Sequence, residues 1–133
     1  MRYKLLSETA KVPTRADDGS AGYDLYADVK ELIYISPGDT VKITTNIAME
    51  IPKGFFGGVF ARSGLATKKG LRPANCVGII DPSYRGPIIV PIHNDSNEHQ
   101  AITPGDRIAQ LIFIPYQKYS DFLPKIIIQY PIV

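Results

Sequence analysis

A single cysteine, Cys76, excludes an internal disulfide and fits a reducing compartment. Histidine is nearly as scarce, with two in 133 residues. His93 and His99 do not combine with Cys76 at metal-ligand spacing, which disfavours a zinc site. Neither stands in a motif with Ser63 that would mark a nucleophilic triad. Glutamate is missing altogether between Glu50 and Glu98. No apolar run near the start reaches signal-peptide length and none anywhere could span a bilayer, so a soluble, cytosolic protein without membrane contact is expected. There is no basic block either. The 15 Lys and Arg against 13 Asp and Glu leave a net charge of +2 spread along the chain, with Lys68, Lys69 and Arg72 as the one local cluster. That distribution argues against a nucleic-acid surface and leaves room for a small anionic ligand. The length suits one domain, residues 1–133, large enough to bury a core.

Strand signal is what the chain has in abundance. Short runs rich in Ile, Val, Tyr, Phe and Thr alternate with turn formers at roughly ten-residue spacing, the pattern of an all-β sandwich or barrel. Strands are expected at 3–6, 23–27, 32–35, 41–49, 57–60, 71–73, 77–80, 88–93, 100–102, 109–115 and 125–130. Pro37-Gly38-Asp39, Pro52-Lys53-Gly54 and Pro104-Gly105-Asp106 punctuate them. Only residues 64–69 have helical character, with Ser63 available as an N-cap. The final segment, residues 125–133, is apolar on both faces, as in a strand lying against another subunit, so an oligomer is expected.

Residues 78–86, Gly-Ile-Ile-Asp-Pro-Ser-Tyr-Arg-Gly, are the most informative stretch. A hairpin tip that only had to turn would use Asn-Gly or Asp-Gly. This one carries Asp81, Tyr84 and Arg85, side chains that are expensive to order unless something binds there. The pattern reads as a pocket floor, with an acid placed to take a proton beside a ring placed to stack. Arg62-Ser63-Gly64 opens the helical turn with a guanidinium, a hydroxyl and an unobstructed N–H, a set suited to an anion, above all phosphate, although Ser-Gly at a helix start is common as a simple cap and taken alone favours that reading. Arg107 and Gln110 are an odd number of residues apart and face opposite sides of a regular strand. Arg107 is therefore expected to form a buried structural ion pair, and Gln110 to meet a ligand. Asp24, among aromatics and alanines, needs a partner, either an arginine or a hydrated metal ion, and spacing does not choose between them.

Four segments, in this order and spacing, resemble the motifs of the trimeric all-β dUTP pyrophosphatases (dUTPases): residues 21–26, 62–66, 78–86 and 105–111. The resemblance implies a distorted β-barrel or jelly-roll-like domain, a homotrimer in which motifs from different subunits meet at each site, and hydrolysis of dUTP to dUMP and pyrophosphate with Mg2+. Laid on this chain, it makes Asp81 the group that activates the attacking water and bonds the 3′-hydroxyl. Tyr84 becomes the platform under the sugar that leaves no space for a 2′-hydroxyl. Asn75, with the main chain of Ile79 and Ile89, corresponds to the groups that read uracil. Arg62, Ser63, Gly64 and Gln110 correspond to the phosphate grip, and Asp24 to a carboxylate that orders water around the magnesium.

The family normally ends in a fifth, glycine-rich motif that closes over the nucleotide. Nothing after Pro115 matches it, which implies correct selectivity with slowed turnover. Pro82, Ser83 and Pro87 stand where acidic residues are commoner, and Pro87, lacking an N–H, is expected to weaken one ladder bond. Two alternatives share the scaffold. A dCTP deaminase would need a base-proximal acid, and the missing glutamates leave it none. A regulatory protein derived from a dUTPase would fit the missing arm, but has no physical reason to keep Asp81 and Tyr84.

Overall fold

The computed structural model describes residues 1–118, and the expected strand at 125–130 lies outside them. Within them the chain is strands almost throughout: β1 (Tyr3–Leu5), β2 (Tyr23–Tyr26), β3 (Ile33–Ile35), β4 (Thr40–Met49), β5 (Phe55–Phe60), β6 (Leu71–Pro73), β7 (Gly78–Ile80), β8 (Pro87–Asn94), β9 (Gln100–Ile102) and β10 (Arg107–Pro115). One helix, α1 (Ser63–Lys69), follows β5. No helix among the described residues is long and apolar enough to cross a membrane.

The strands form three antiparallel sheets, ordered β1-β4-β8-β6, β2-β10-β5-β7 and β3-β9. Alternation explains how they pack. Along β4 the side chains of Ile43, Thr45, Ile47 and Met49 are buried at every second position, and along β8 those of Ile88, Val90, Ile92 and Asn94. Leu25, Val59, Ala109 and Leu111 come from the second sheet and Ile35 and Ile102 from the third, so one apolar core draws on all of them. The one amide side chain buried among the described residues is satisfied on all sides. Asn94 Nδ2 donates to the carbonyls of Ile35 and Glu98, both at 2.8 Å, and its Oδ1 accepts from the N–H and hydroxyl of Ser96.

Two irregularities interrupt the ladders. The β4–β8 register shifts between Thr44 and Ala48, and Asn46 there takes a positive φ of 50°, which asparagine tolerates better than most residues. Its amide donates to Asp28 at 2.7 Å, alongside the hydroxyls of Ser7 and Thr9. Burial pushes the Asp28 carboxyl up, but these donors outweigh it and hold the group below the ordinary aspartate value. The second irregularity is a register shift in β10 between Arg107 and Ala109.

Two expectations are corrected. Ser63 is not the N-cap: Arg62 occupies that position in extended geometry, and no side chain caps the helix. The lead-in and lead-out strands of residues 78–86 are not a hydrogen-bonded hairpin. β7 pairs with β5, and β8 with β4 and β6, so the two strands belong to different sheets. A turn carrying Pro82 and a strand opening on Pro87, which has no N–H, offer few groups to zip them together, whereas β5 and β4 offer full ladders.

Candidate active site

Because β7 and β8 part into different sheets, a gap opens between them. It is lined by Val59, Asn75, Ile79, Tyr84, Pro87 and Ile89 among others, with Asp81 beside Tyr84. β7 is the last strand of its sheet, and the β6 ladder covers only residues 92–94 of β8. The main chain around Ile79 and Ile89 therefore has an edge turned to the gap with no strand on it. Both side chains point outward, Ile79 with 60% and Ile89 with 46% of its surface exposed. That is a slot for a flat ring, with apolar walls and backbone polar groups along its edges.

At its mouth the chain turns at residues 81–84, closed by the Tyr84 N–H donating to the Asp81 carbonyl at 3.1 Å. Arg85 braces this turn by donating to the carbonyls of Pro82 and Tyr84. Its far end lies 3.9 Å from Glu50, which also accepts from Arg2 at 2.7 Å. The Arg2 guanidinium, with a smaller contribution from Arg85, holds the Glu50 carboxyl below its usual value. Asp81 itself is exposed, ready for a ligand or water.

A second, polar cleft is lined by Ser20, Gly22, Asp24, Arg62, Ser63, Arg107 and Gln110, together with Ala16 and Ala21. Arg62 Nε donates to Asp24 Oδ1 at 2.8 Å, and Arg107 Nη1 stands 3.7 Å from Oδ2. Of the two partners open to Asp24, the structure supplies arginine. The terminal nitrogens of Arg62 and the Ser63 hydroxyl bond no protein group among the described residues. Gly64 has nothing within 4 Å of where a Cβ would stand. The cleft thus presents positive charge and unused donors to its interior, which suits an anion of several charges.

Gln110 props this cleft open. Its Nε2 donates to the Ala61 carbonyl at 2.9 Å, fixing the residue before Arg62. Gly22 makes that possible, since a Cβ there would lie 2.2 Å from Gln110 Oε1. Here the expectation for Arg107 is corrected in part: it does stand in an ion pair with Asp24, but not buried on the opposite face. It is half exposed and lines the same cleft as Gln110, because the shift at the start of β10 inserts a residue and cancels the alternation that would have sent them to opposite faces. Gly22 and Arg107 are the site residues that sequence reasoning missed. A Pro-Gly turn running straight into a strand was the available hint of a bulge.

The expected residues therefore fall into two groups: Asn75, Ile79, Asp81, Tyr84 and Ile89 at the slot, and Asp24, Arg62, Ser63 and Gln110 at the cleft, with Gly64 beside it. The groups share no lining residue. Asp24, Gln110 and Phe60 stand in one row across the sheet, β7 lies one strand further, and Asp81 follows four positions along. With about 4.8 Å between strands and 3.4 Å per residue, Asp81 and Asp24 are roughly 20 Å apart along the sheet. Within one copy the two groups cannot grip the same phosphate.

Comparison with known proteins identifies the family. A family model described as dUTPase matches residues 8–127. The deoxyuridine 5'-triphosphate nucleotidohydrolase of Desulfitobacterium hafniense (strain DSM 10664 / DCB-2) is 46% identical over 114 residues, 85% of this chain and 76% of that protein. Among solved structures, the dUTPase from phage phi11 of S. aureus superposes with a TM-score of 0.81 at 28% identity, covering 90% of this chain and 92% of that one. A point mutant of the phi11 enzyme, described as revealing the coordination of a structural Mg(II) ion, superposes at 0.80 with the same 28% identity and the same coverage.

Proposed function

The chain belongs to the dUTPase family, and on that premise we propose that it hydrolyses dUTP to dUMP and pyrophosphate, a water activated by Asp81 attacking the α-phosphorus. The observation that carries this reading is the slot between β7 and β8 with Asp81 and Tyr84 together at its mouth. Uracil enters the slot, where the Asn75 amide and the backbone of Ile79 and Ile89 read its edge, and the close walls leave no volume for a thymine methyl. The sugar rests on Tyr84. The Asp81 carboxylate then stands beside the first phosphate, where it accepts a proton from the attacking water as the new P–O bond forms and the bond to pyrophosphate breaks.

Charge on the phosphates is met by the polar cleft, through Arg62, Ser63, the Gly64 N–H and Gln110. Since slot and cleft of one copy are too far apart, the cleft at each slot comes from another copy, and a homotrimer with three shared sites satisfies every copy equally. Asp24 suits magnesium in a limited way. Two of the lone-pair sites on its carboxylate face arginines and the others remain for a metal-bound water, while no cluster of three or more His, Cys, Asp or Glu among the described residues forms a protein cage. That fits an ion held mainly by phosphates and water, whose bound charge would ease departure of the pyrophosphate. The slot's one carboxylate is Asp81 at its mouth and no glutamate lines it, so the base-proximal glutamate that typically serves a deaminase acting on a cytosine ring is missing there.

Hydrolysis in 18O-labelled water tests the reaction. The label is expected in dUMP and not in pyrophosphate, with dTTP, dCTP and UTP turned over poorly. Label in the pyrophosphate, or equal rates on dTTP, would overturn the reading.

A further inference from the structure

The Tyr84 ring sits unusually close to Gly86. A Cβ on that glycine would lie 2.6 Å from Tyr84 Oη, 2.8 Å from Cζ and 3.2 Å from Cε1. The phenol also donates its proton to the Pro87 carbonyl at 2.7 Å. Yet the ring is 42% exposed and belongs to no core cluster, so the fold gains little from holding it there. An exposed aromatic pinned from one side by a glycine and at its tip by a backbone carbonyl is a pre-organised surface.

We propose that Gly86 and the Pro87 carbonyl are the positioning groups that set the Tyr84 ring and thereby the discrimination against a 2′-hydroxyl. The inference rests on the reading of Tyr84 as the sugar platform. Its physics is simple. A stacked ring excludes a hydroxyl only if it cannot recede, because a hydroxyl needs little space and a yielding wall would accept it. Gly86 lets the phenol end of the ring lie directly against the chain, which leaves it little distance to retreat. The bond to Pro87 removes the remaining swing about the side-chain torsions. It also commits the phenol proton, so Tyr84 meets the sugar with carbon and not with a donor. Pro87, which costs the β8 ladder an N–H, keeps the carbonyl this bond requires.

Glycine to alanine at 86 tests this without breaking the fold, since Gly86 is not in the left-handed region and its backbone accepts a side chain. The alanine must displace the ring. Binding of dUMP, UMP and dTMP is measured by titration calorimetry for the native chain, Gly86→Ala and Tyr84→Phe, with thermal unfolding as the check on folding. The expected result for Gly86→Ala is a loss of about tenfold or more in the preference for dUMP over UMP. The preference for dUMP over dTMP stays unchanged, because the base is read elsewhere. Tyr84→Phe keeps the ring and loses one hydrogen bond, and is expected to shift the sugar preference in the same direction by about threefold to tenfold. A merely structural glycine would weaken all three ligands together. Unchanged sugar preference in both variants, or parallel loss for base and sugar, would overturn the proposal. A native chain with no preference for dUMP over UMP would instead overturn the assignment of Tyr84 on which it rests.

Discussion

Replacing Asp81 by Asn should lower kcat for dUTP by about 10²–10⁴-fold while leaving KM within a few-fold of its starting value. Asparagine has the same shape, so the closed turn at residues 81–84 and the contact to a sugar hydroxyl survive. What it cannot do is accept a proton at neutral pH. The loss therefore falls on the step in which water becomes a nucleophile, and not on binding. The brace from Arg85 to the carbonyls of Pro82 and Tyr84 is untouched by the change, so the loop should keep its form. Steady-state kinetics and dUMP titration on the same preparation separate the two effects. Equal loss in kcat and in dUMP affinity would mean that Asp81 holds the nucleotide and does not activate water.

Truncating Arg62 to Ala should lower kcat/KM by about 10²–10³-fold, the scale of removing one preorganised group aimed at developing charge. Two interactions go together. The phosphates lose a guanidinium, and Asp24, only 15% exposed, is left with Arg107 at 3.7 Å as its nearest cation. The bare carboxylate would then repel the phosphate tail it previously faced through Arg62. Lysine should not rescue the variant. Arg62 spends Nε on Asp24, and its terminal nitrogens bond no protein group among the described residues and would be available to a phosphate, whereas an ammonium has a single point of charge and cannot do both. Kinetics of Arg62→Ala and Arg62→Lys check this, and near-native kcat/KM in the lysine variant would contradict it.

Much of the molecule was legible before the structure. Runs rich in Ile, Val, Tyr, Phe and Thr between proline-glycine turns placed ten of the strands to within two residues, because strand propensity and φ restriction act locally. Asp81 and Tyr84 stood out because their turn carries side chains that turning does not require. What failed was non-local. Nothing in the residues 78–86 themselves tells that β7 and β8 join different sheets, since that depends on β5 and β4 competing for their edges. Arg107 was assigned to the wrong face because a bulge is a property of a paired ladder. The value of Gly22 and Gly86 appeared only when the side chains of Gln110 and Tyr84 were seen lying across them. Alternation also cannot tell that slot and cleft stand at opposite edges of one sheet.

Mixed assemblies test that separation of slot and cleft most directly. Chains carrying Asp81→Asn and chains carrying Arg62→Ala, each nearly inactive alone, are co-expressed and isolated as mixed oligomers through two different tags. If each site joins Asp81 from one copy to Arg62 from another, every mixed trimer has one of its three sites with both groups intact. Activity should then return to about a third of the native level. Activity no greater than the sum of the two variants alone would mean that slot and cleft serve one copy by themselves, and would contradict the shared site.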